Sequence, residues 1–318
     1  MDTLARELTF DPAALRGLSD KLLRSHHRNN YGGAVKRLNA IRHQLSGLDF
    51  ATASGFQVNG LKREELIATN SMLLHELYFD SLGGDGQTMA PALTLALEAN
   101  FGSVARWRSE FVAMGKAQGG GSGWVLLTFQ PRDGTLVNQW AADHTNALAG
   151  GVPILGLDMY EHSYHLDFGA DAGSYVDAFM DNINWASVYA RYQLAVHGAS
   201  EPFGATQDEL SSALLLDVRR AGVFEKAEAL IPGARWCDPV AVGAWASELA
   251  PDKEVIVYCV YGHEVGTRNC LALAWPRTEG ALPARRHRRM ASGRASPAGQ
   301  SILILTWLAG ELRKRDRA

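Results

Sequence analysis

The sequence is poor in cysteine and has no long apolar run. Three cysteines, Cys237, Cys259 and Cys270, occur among 318 residues. They are too few for a disulfide framework and are typical of a reducing cytoplasm. No run of about 18 apolar residues is present, so we expect no membrane-spanning helix. The N-terminal residues lack a basic flank followed by an apolar core, so we also expect no signal peptide.

The chain also lacks an excess of charge of either sign. Its formal net charge is -3 at pH 7, which gives no overall positive field to attract nucleic acid. We therefore expect neither nucleic acid nor a membrane as a partner. Hydrophobic residues make up 47% and charged residues 20% of the sequence, as in a packed globular protein, and the length is sufficient for two domains.

An apolar run followed by two polar residues lies near the middle of the chain. Residues 154–157 are typical of a buried strand, and Asp158 and His162 come after them. If a turn of helix follows the strand, the four-residue spacing puts both side chains on one side. An aspartate and a histidine together suit iron, manganese or zinc. For this pair alone, a helix N-cap at Asp158 and an ordinary histidine are the more common arrangement.

Two helical patterns nearer the N-terminus carry further histidines. Residues 11–48 contain His26 and His27, and residues 62–82 contain His75. Adjacent residues of a helix point about 100° apart, so His26 and His27 cannot both face one centre. A single histidine on an apolar helix face is more often a core residue than a ligand. The helical pattern alone therefore leaves the role of His75 open.

Helical and strand patterns continue to residue 193. A glycine-rich turn at residues 119–123 precedes a strand rather than a helix, which makes a nucleotide site a weak interpretation. A hairpin turn at residues 132–135 separates two strands. The expected elements are a helical region over residues 91–120, strands over residues 125–129 and 136–141, and a single helix over residues 174–193.

The order of these motifs resembles that of the iron/manganese superoxide dismutases. The segment Asp158-x-x-Glu161-His162, followed by Tyr175-Val-Asp-Ala-Phe179 and Asn182-Ile-Asn-Trp185, is similar to the C-terminal signature of that family. Residues 25–39 and 75–79 resemble its two other ligand segments, and the resemblance extends over about residues 15–195. It implies superoxide dismutation with one iron or manganese ion per subunit. The ligands that it implies are His26, His75, Asp158 and His162.

The same resemblance implies roles for residues around the metal. His144 falls where the family places the outer-sphere group that holds metal-bound solvent. Trp124, in Ser122-Gly-Trp124, corresponds to a tryptophan that lines the metal pocket. The tyrosine of the family's substrate channel is replaced by Ala34, and Tyr31, one helical turn earlier, is the candidate for its place.

The resemblance also implies a fold and an assembly. The fold class is α+β, with an N-terminal α-hairpin half over residues 1–90 and a C-terminal α/β half over residues 91–197. Glu161 resembles a glutamate that reaches the partner subunit, which implies a homodimer or a homotetramer. His165 and Phe79 stand where the family usually has a tyrosine and a tryptophan.

A second unit follows a linker over residues 198–208. Asp217-Val-Arg219, residues 231–234 and a strand that ends at Cys259 resemble parts of a rhodanese domain. The active-site cysteine of that family lies at a loop whose amides bind an anion or a persulfide. A cysteine between a strand and a helix has a lowered thiol pKa for the same reason. The resemblance implies an incomplete α/β rhodanese-like domain over residues 209–275, with Cys259 as its catalytic candidate.

The sequence departs from the rhodanese pattern after Cys270. Residues 276–318 form an atypical basic tail with a run of arginines at residues 285–289. A charge run of this kind is usually solvated. Within the tail, the apolar character of residues 301–312 predicts a short helix.

Three functions compete. The first is an active iron or manganese superoxide dismutase with a C-terminal appendage. The second is a weakly active metal-binding paralogue with a sensor or interaction role, suggested by Ala34 and His165 in place of tyrosines. The third is a sulfurtransferase that uses Cys259. We expect the first, because the order His, His and Asp-x-x-x-His matches the family, and we expect either iron or manganese because both metals use these ligands.

Overall fold

A computed structural model describes residues 2–200, 213–227, 230–249, 255–259 and 302–305 of the chain. These residues form two compact units. As far as the chain is described, the first unit consists of Met1–Phe129 and Leu136–Tyr192, and the second of Gln130–Thr135 and Gln193–Ala318. Residues 201–208 of the expected linker, Cys270 and most of the expected basic tail lie outside the described residues.

Up to residue 200 the chain contains helices and a three-stranded sheet. Two 3-10 turns lie at Pro12–Ala14 and Glu161–Ser163, and a π-helical segment lies at His26–Tyr31. The α-helices are α1 (Asp20–Ser25), α2 (Gly32–Ser46), α3 (Gly55–Asp80), α4 (Pro91–Phe101), α5 (Val104–Ala117), α6 (His165–Phe168), α7 (Ala172–Asp181) and α8 (Trp185–Ser200). The strands are β1 (Trp124–Gln130), β2 (Thr135–Ala141) and β3 (Val152–Asp158). This mixture of helix and sheet confirms the α+β expectation for this part of the chain.

The first helical region is interrupted, whereas its sequence pattern predicted helix throughout residues 11–48. Asp11 caps a 3-10 turn by accepting a hydrogen bond from the Ala13 N–H at 3.0 Å, but this turn is only 3 residues long. Ser19 then caps α1 by accepting a hydrogen bond from the Leu22 N–H. The π-helical segment follows α1 directly, and segments of this kind are frequent at functional sites.

Helices α2 and α3 pack against each other as a hairpin. Val35 and Leu38 of α2 are buried, as are Ala68 and Met72 of α3. Residues three and four apart lie on one face of a helix, so each helix buries an apolar stripe. His75 follows Met72 by three residues and is buried on the same side of α3. The apolar stripe of the hairpin therefore carries this imidazole into the core.

Two regions with helical sequence patterns each contain two helices. Gly102 ends α4 with a φ of +85°, and Ser103 caps α5 by accepting a hydrogen bond from the Arg106 N–H. The single helix predicted over residues 174–193 is also wrong, because α7 and α8 are separate helices. Among the described residues, no helix combines the length and the apolar character needed to cross a bilayer.

Asn182 explains the break between α7 and α8. Its Oδ1 accepts a hydrogen bond from the Arg16 N–H at 2.9 Å, and its Nδ2 donates to the Arg16 carbonyl at 2.7 Å. Next to it, Ile183 forms an isolated antiparallel bridge with Leu82. These long-range hydrogen bonds compete with the local helical ones, and tertiary context of this kind routinely overrides helix propensity.

The sheet has the strand order β2-β1-β3, and β1 is antiparallel to β3. Its register pairs Trp124 at the start of β1 with Asp158 at the end of β3. Gly123 enters β1 with a φ of +137°, and a side chain at this position would collide with the carbonyl oxygen of Ala141. The glycine-rich turn therefore allows the close backbone approach that brings Trp124 to the polar end of β3.

The described part of the second unit is a parallel sheet with the strand order β5-β4-β6-β7. Its elements are β4 (Leu214–Asp217), α9 (Ala221–Phe224), β5 (Arg235–Trp236), α10 (Val242–Trp245), β6 (Val255–Tyr258) and β7 (Ile302–Leu305), with 3-10 turns at Pro239–Ala241 and Ala246–Glu248. Strand β7 corrects the helix predicted over residues 301–312 at residues 302–305, and the rest of that range lies outside the described residues. A continuous run of isoleucine and leucine is equally typical of a strand in a parallel sheet, and here it pairs with β6.

Candidate metal centre

Four side chains converge in the first unit with atoms that can bind a metal ion. They are His26, His75, Asp158 and His162, and their donor atoms all lie within 4.8 Å of one another. The Oδ2 atom of Asp158 is 3.1 Å from His26 Nε2, 3.4 Å from His75 Nε2 and 3.2 Å from His162 Nε2. The Nε2 atoms of His75 and His162 are 3.4 Å apart. The structure thus brings together the four residues expected as ligands.

Each of these residues is placed by a different piece of local structure. His26 begins the π-helical segment, and His75 lies in the C-terminal part of α3. Asp158 ends β3, and the 3-10 turn that follows brings His162 back to it. Asp158 Oδ1 also accepts a hydrogen bond from the Tyr160 N–H at 2.9 Å. Asp158 therefore holds the backbone of the following loop through Oδ1 and is a candidate ligand through Oδ2.

A metal cation fits the protonation state of this cluster. His75 Nδ1 lies 2.6 Å from the carbonyl oxygen of Ser71. A carbonyl can only accept, so Nδ1 carries the proton and Nε2 presents its lone pair. Both ring nitrogens of His26 are buried without a well-aligned hydrogen bond. Lone pairs of imidazole and carboxylate that converge in this way need a cation between them.

The spacing of the donors also fits a single ion. Two ligand atoms that are each about 2.1 Å from one metal, at angles of about 90–120°, lie roughly 3.0–3.6 Å apart. The separations of 3.1 to 3.4 Å around Asp158 Oδ2 agree with this geometry. Three imidazole nitrogens and one carboxylate oxygen are a donor set that suits iron, manganese or zinc.

Burial holds these groups in the protonation states that bind metal. Burial lowers the pKa of His75 to about 3 and also lowers the pKa of His26. For Asp158 burial works to raise the pKa, but the neighbouring imidazoles of His162 and His26 outweigh it, and the pKa lies well below its ordinary value. At neutral pH His26 and His75 are therefore neutral and the carboxylate is ionised, as metal binding requires.

Aromatic rings surround the donors and keep water away from them. Tyr78 and Phe79 lie 5.1 Å and 5.0 Å from the His26 ring. Trp124 meets the His75 ring edge-on at 5.4 Å. All three aromatic side chains are buried. The centre is thus enclosed in an apolar wall, in which charge interactions are stronger than in water.

His144 lies at the edge of this wall, with its ring 6.0 Å from that of His75. The Trp124 indole N–H donates a hydrogen bond to His144 Nδ1 at 3.1 Å, and Asn70 Nδ2 donates to the His144 carbonyl. An indole nitrogen can only donate, so Nδ1 accepts and the proton of the neutral ring is on Nε2. Burial lowers the pKa of His144, which keeps this ring neutral at physiological pH.

Tyr160 is part of the site although the sequence pattern gave it no role. Its ring stacks on His144, with centroids 4.8 Å apart, and on His162, with centroids 5.3 Å apart. Burial raises the pKa of Tyr160 to about 12, although a backbone hydrogen bond from His144 acts in the opposite direction. The available signal was its position between Asp158 and His162, because a residue inside a ligand motif has little freedom to point elsewhere.

Tyr31 lies beside the four donors, but its hydroxyl bonds to residues outside this cluster. The hydroxyl donates to Glu76 Oε1 at 2.8 Å and accepts from the Arg6 N–H at 2.7 Å. The Tyr31 ring packs against His27 and Phe79, and Phe79 in turn contacts His26. His27 Nε2 lies 2.8 Å from the Arg6 carbonyl, so His27 faces the N-terminal segment, in agreement with the expectation that it would not face the metal.

The remaining residues singled out in the sequence are described within their own units. Glu161 and His165 are exposed on the surface of the first unit. Cys259 is half-buried in the second unit and directly follows β6. In the same sheet the buried Asp217 pairs with Arg219.

Comparison with known proteins shows which family the chain is similar to. The family described as iron/manganese superoxide dismutases, C-terminal domain, matches residues 89–191. A superoxide dismutase [Fe] of Cupriavidus metallidurans is 66% identical over 191 residues, which cover 60% of this chain and 96% of the relative. Superoxide dismutase [Mn] 1 of Halobacterium salinarum is 34% identical, with 59% and 94% covered. A superoxide dismutase [Fe] of Aquifex pyrophilus is 33% identical, with 58% and 89% covered.

Proposed function

The chain belongs to the iron/manganese superoxide dismutase family, and from this premise we propose that His26, His75, Asp158 and His162 are the ligands of its metal ion. It converts superoxide to dioxygen and hydrogen peroxide with one iron or manganese ion. The observation that carries the ligand proposal is the convergence of three imidazole Nε2 atoms on one carboxylate oxygen at 3.1 to 3.4 Å.

The four ligands have complementary tasks. When bound, the metal supplies one-electron redox chemistry, taking an electron from one superoxide and giving one to the next. The Asp158 carboxylate favours the higher oxidation state by its charge, and the neutral imidazoles keep the lower state bound. The hydrogen bond from His75 Nδ1 to Ser71 fixes the tautomer and the orientation of that ligand. Four protein donors would leave a coordination position of a bound ion free for a small molecule.

We propose that His144 and Trp124 hold a solvent molecule beside this free position. Each dismutation cycle consumes two protons, and these reach the site through solvent, because the N–H of a neutral imidazole is a hydrogen-bond donor and not a proton source. His144 is neutral with its proton on Nε2, because Trp124 occupies Nδ1 as a donor. His144 therefore offers an N–H, while Trp124 both fixes His144 and covers His75. Replacement of His144 by alanine should lower kcat at unchanged metal content, and an unchanged kcat would contradict this role.

We propose that Tyr31 limits access from the side of Phe79. Its ring is 1% exposed, and Glu76 and Arg6 fix its hydroxyl. The buried Ala34 on the next helical turn is too small to fill the channel position that a tyrosine occupies in the family. Tyr31→Ala should then raise the affinity of the metal for added azide by opening this side. An unchanged azide affinity would contradict the proposal.

The ligand set is tested by metal analysis combined with a dismutation assay. Protein from its native host should contain about one iron or manganese ion per subunit, as a donor set for a single ion implies. His75→Ala should lose both metal and activity, because it removes a buried donor that no neighbouring residue can replace. The matched control is His43→Ala, an exposed histidine that pairs with Asp2 outside the cluster. Full metal occupancy in His75→Ala would contradict the proposed ligands.

We propose that the protein is a homodimer or a homotetramer. The support is the exposed Glu161 next to His162, whose side chain is 26% exposed, while the side chains of the other three donors are 0–2% exposed. A partner subunit at this surface would complete the enclosure of the least buried ligand. Sedimentation equilibrium that gives the mass of a single subunit would contradict this proposal.

We propose a second activity, sulfur transfer, for a rhodanese-like domain over residues 209–275 that follows the linker at residues 198–208. The supporting observation is the position of Cys259 directly after β6, in a parallel sheet where the Asp217–Arg219 pair ends the neighbouring strand. Ligands of open parallel sheets bind beyond the carboxyl ends of the strands. The loop expected after Cys259 and the basic tail lie mostly outside the described residues.

We propose a cytoplasmic location for the protein. The support is the small number of cysteines and the buried thiol of Cys237, for which burial raises the pKa. Free thiols such as Cys237 and Cys259 are typical of a reducing compartment, where disulfides are rare. Recovery of the protein from the periplasmic fraction of its host would contradict this location.

A further inference from the structure

The ring of Tyr160 lies between two imidazoles that come from different segments of the chain. It is stacked on His144 with an interplanar angle of 13° and on His162 with an angle of 12°. We propose that Tyr160 is a positioning residue that holds both rings in place, His162 for metal binding and His144 for turnover. This inference rests on the proposed function, in which His162 is a ligand and His144 offers an N–H.

His162 is the donor that most needs such support. Its side chain is 26% exposed, whereas those of His26, His75 and Asp158 are 0–2% exposed. Packing therefore holds the other three donors on all sides and leaves one side of His162 uncovered. Tyr160 covers a face of this imidazole and limits its rotation. A ligand held in its binding orientation loses less conformational entropy when the metal binds, which raises the affinity.

His144 needs a second constraint for a geometric reason. Trp124 donates to its Nδ1, and Asn70 holds its backbone carbonyl. A single hydrogen bond to one ring nitrogen fixes the direction of that nitrogen but leaves the ring free to turn about the bond. Stacking on Tyr160 fixes the plane of the ring, since offset-stacked aromatic pairs have a preferred mutual orientation. Together the two contacts determine the direction of the Nε2–H.

The backbone of Tyr160 contributes to the same arrangement. Its N–H donates to Asp158 Oδ1 at 2.9 Å, which turns Oδ2 towards the imidazoles. Tyr160 therefore contacts a ligand carboxylate through its backbone, and a ligand imidazole and the outer histidine through its ring. Only the ring contacts change when the side chain is replaced, so substitution tests them without removing the bond to Asp158.

Metal affinity tests the contact with His162. Tyr160→Leu removes the ring, and in a chelator competition assay with Mn²⁺ it should bind the metal about 10–100-fold more weakly, as for other residues that orient metal ligands. Tyr160→Phe keeps the ring and should restore most of the affinity. Phe50→Leu, which removes an exposed ring from another surface, is the control. Equal affinity of the Tyr160→Leu and wild-type proteins would overturn the inference.

A double-mutant cycle tests the contact with His144. If Tyr160 acts on turnover through His144, kcat of metal-loaded Tyr160→Leu/His144→Ala should equal that of His144→Ala alone. A kcat lowered by the product of the two single effects would instead mean that Tyr160 only supports the fold, and would overturn the inference.

An NMR measurement on the wild-type protein tests the inference even if the variants do not fold. In the metal-free protein, the ring of Tyr160 should shift the His144 ring protons upfield. His144 proton shifts equal to those of an unstacked histidine would overturn the inference. Wild-type protein that binds no metal would overturn the proposed ligand set and this inference with it. Wild-type protein that binds metal no better than Tyr160→Leu would overturn this inference alone.

Discussion

At the scale of single residues, burial and direction separate His26 and His75 from the neighbouring His27. His26 and His75 are each 1% exposed, and burial lowers the pKa of both rings. The adjacent His27 is only half-buried and bonds to the backbone of Arg6. The same residue type one position apart therefore has different chemistry, because only His26 faces the carboxylate of Asp158.

The lowered pKa of His75 predicts how stability depends on pH. In the unfolded chain this imidazole takes up a proton near its ordinary pKa of about 6.5, whereas in the folded metal-free protein its pKa is about 3. Between these two pKa values the unfolded state therefore binds more protons than the native state. The free energy of unfolding consequently decreases as the pH falls. We expect the metal-free protein to lose about 2 kcal/mol of unfolding free energy between pH 7 and pH 5 through this residue.

Urea denaturation of the metal-free protein at both pH values measures this effect. In His75→Gln the side chain no longer titrates, so the pH dependence of this variant should be shallower than that of the wild type by the stated amount. His43→Gln, at an exposed position, should follow the wild type. Parallel pH profiles for His75→Gln and the wild type would show that burial does not suppress protonation of His75.

At the scale of elements, breaks in regular structure place the functional groups. The π-helical segment begins at His26, and β3 ends at Asp158. The turn at Gly123 lets Trp124 pair with Asp158. The break between α7 and α8 is held by Asn182, which bonds to the backbone of Arg16 near the N-terminus. The elements thus supply a rigid frame, and their ends supply the chemistry.

The bonds of Asn182 predict a large effect of its replacement on stability. Asn182→Ala removes hydrogen bonds to the N–H and the carbonyl of Arg16 at a position that is 2% exposed. We expect the free energy of unfolding to fall by about 1–3 kcal/mol, because two hydrogen bonds of a buried side chain are lost, at about 0.5–1.5 kcal/mol each. Thermal or urea unfolding measures the change.

A matched control for Asn182 is available in the π-helical segment. Asn29 is exposed, and its side chain bonds only locally, to Ser25. Asn29→Ala should therefore change stability by less than about 0.5 kcal/mol, as is usual for surface substitutions. Equal effects of the two substitutions would mean that α7 and α8 are separated for a reason other than the bonds to Arg16.

At the scale of the whole molecule, the two units carry separate candidate chemistries. The relatives cover 58–60% of this chain, and the four proposed ligands all belong to the first unit. The expectation of superoxide dismutation with iron or manganese is confirmed by those relatives. The rhodanese-like domain and its Cys259 stay a prediction, supported by the described strands of a parallel sheet.

Single substitutions in the full-length chain test whether the two activities are independent. In cyanolysis, Cys259 would take a sulfur atom from thiosulfate, releasing sulfite, and pass it to cyanide to give thiocyanate. Cys259→Ser should abolish thiocyanate formation and leave dismutation unchanged, because serine cannot form a persulfide. His75→Ala should do the reverse. A wild-type protein that forms no thiocyanate in this assay would contradict the second activity.

The residue pattern alone determined a large part of this result. The apolar run before Asp158 fixes β3, because hydrophobic periodicity reflects burial. The spacing of Asp158 and His162 fixes their proximity, because both lie within one strand end and one turn. The alternative interpretation of Asp158 as a helix N-cap is wrong, because Tyr160 occupies the N-cap position of the following turn and Asp158 Oδ1 accepts only from the Tyr160 N–H. These are local relations, and local relations are encoded in adjacent residues.

Tertiary structure decided what depends on distant parts of the chain. It selected His26 over His27, joined His75 to Asp158 and divided the helix predicted over residues 174–193. It also turned residues 302–305 into a strand, because β6 offered a partner. The stack of Tyr160 on His144 belongs to the same class. Such contacts arise only when separate segments pack together, because the residues next to each of these side chains in the sequence do not determine them.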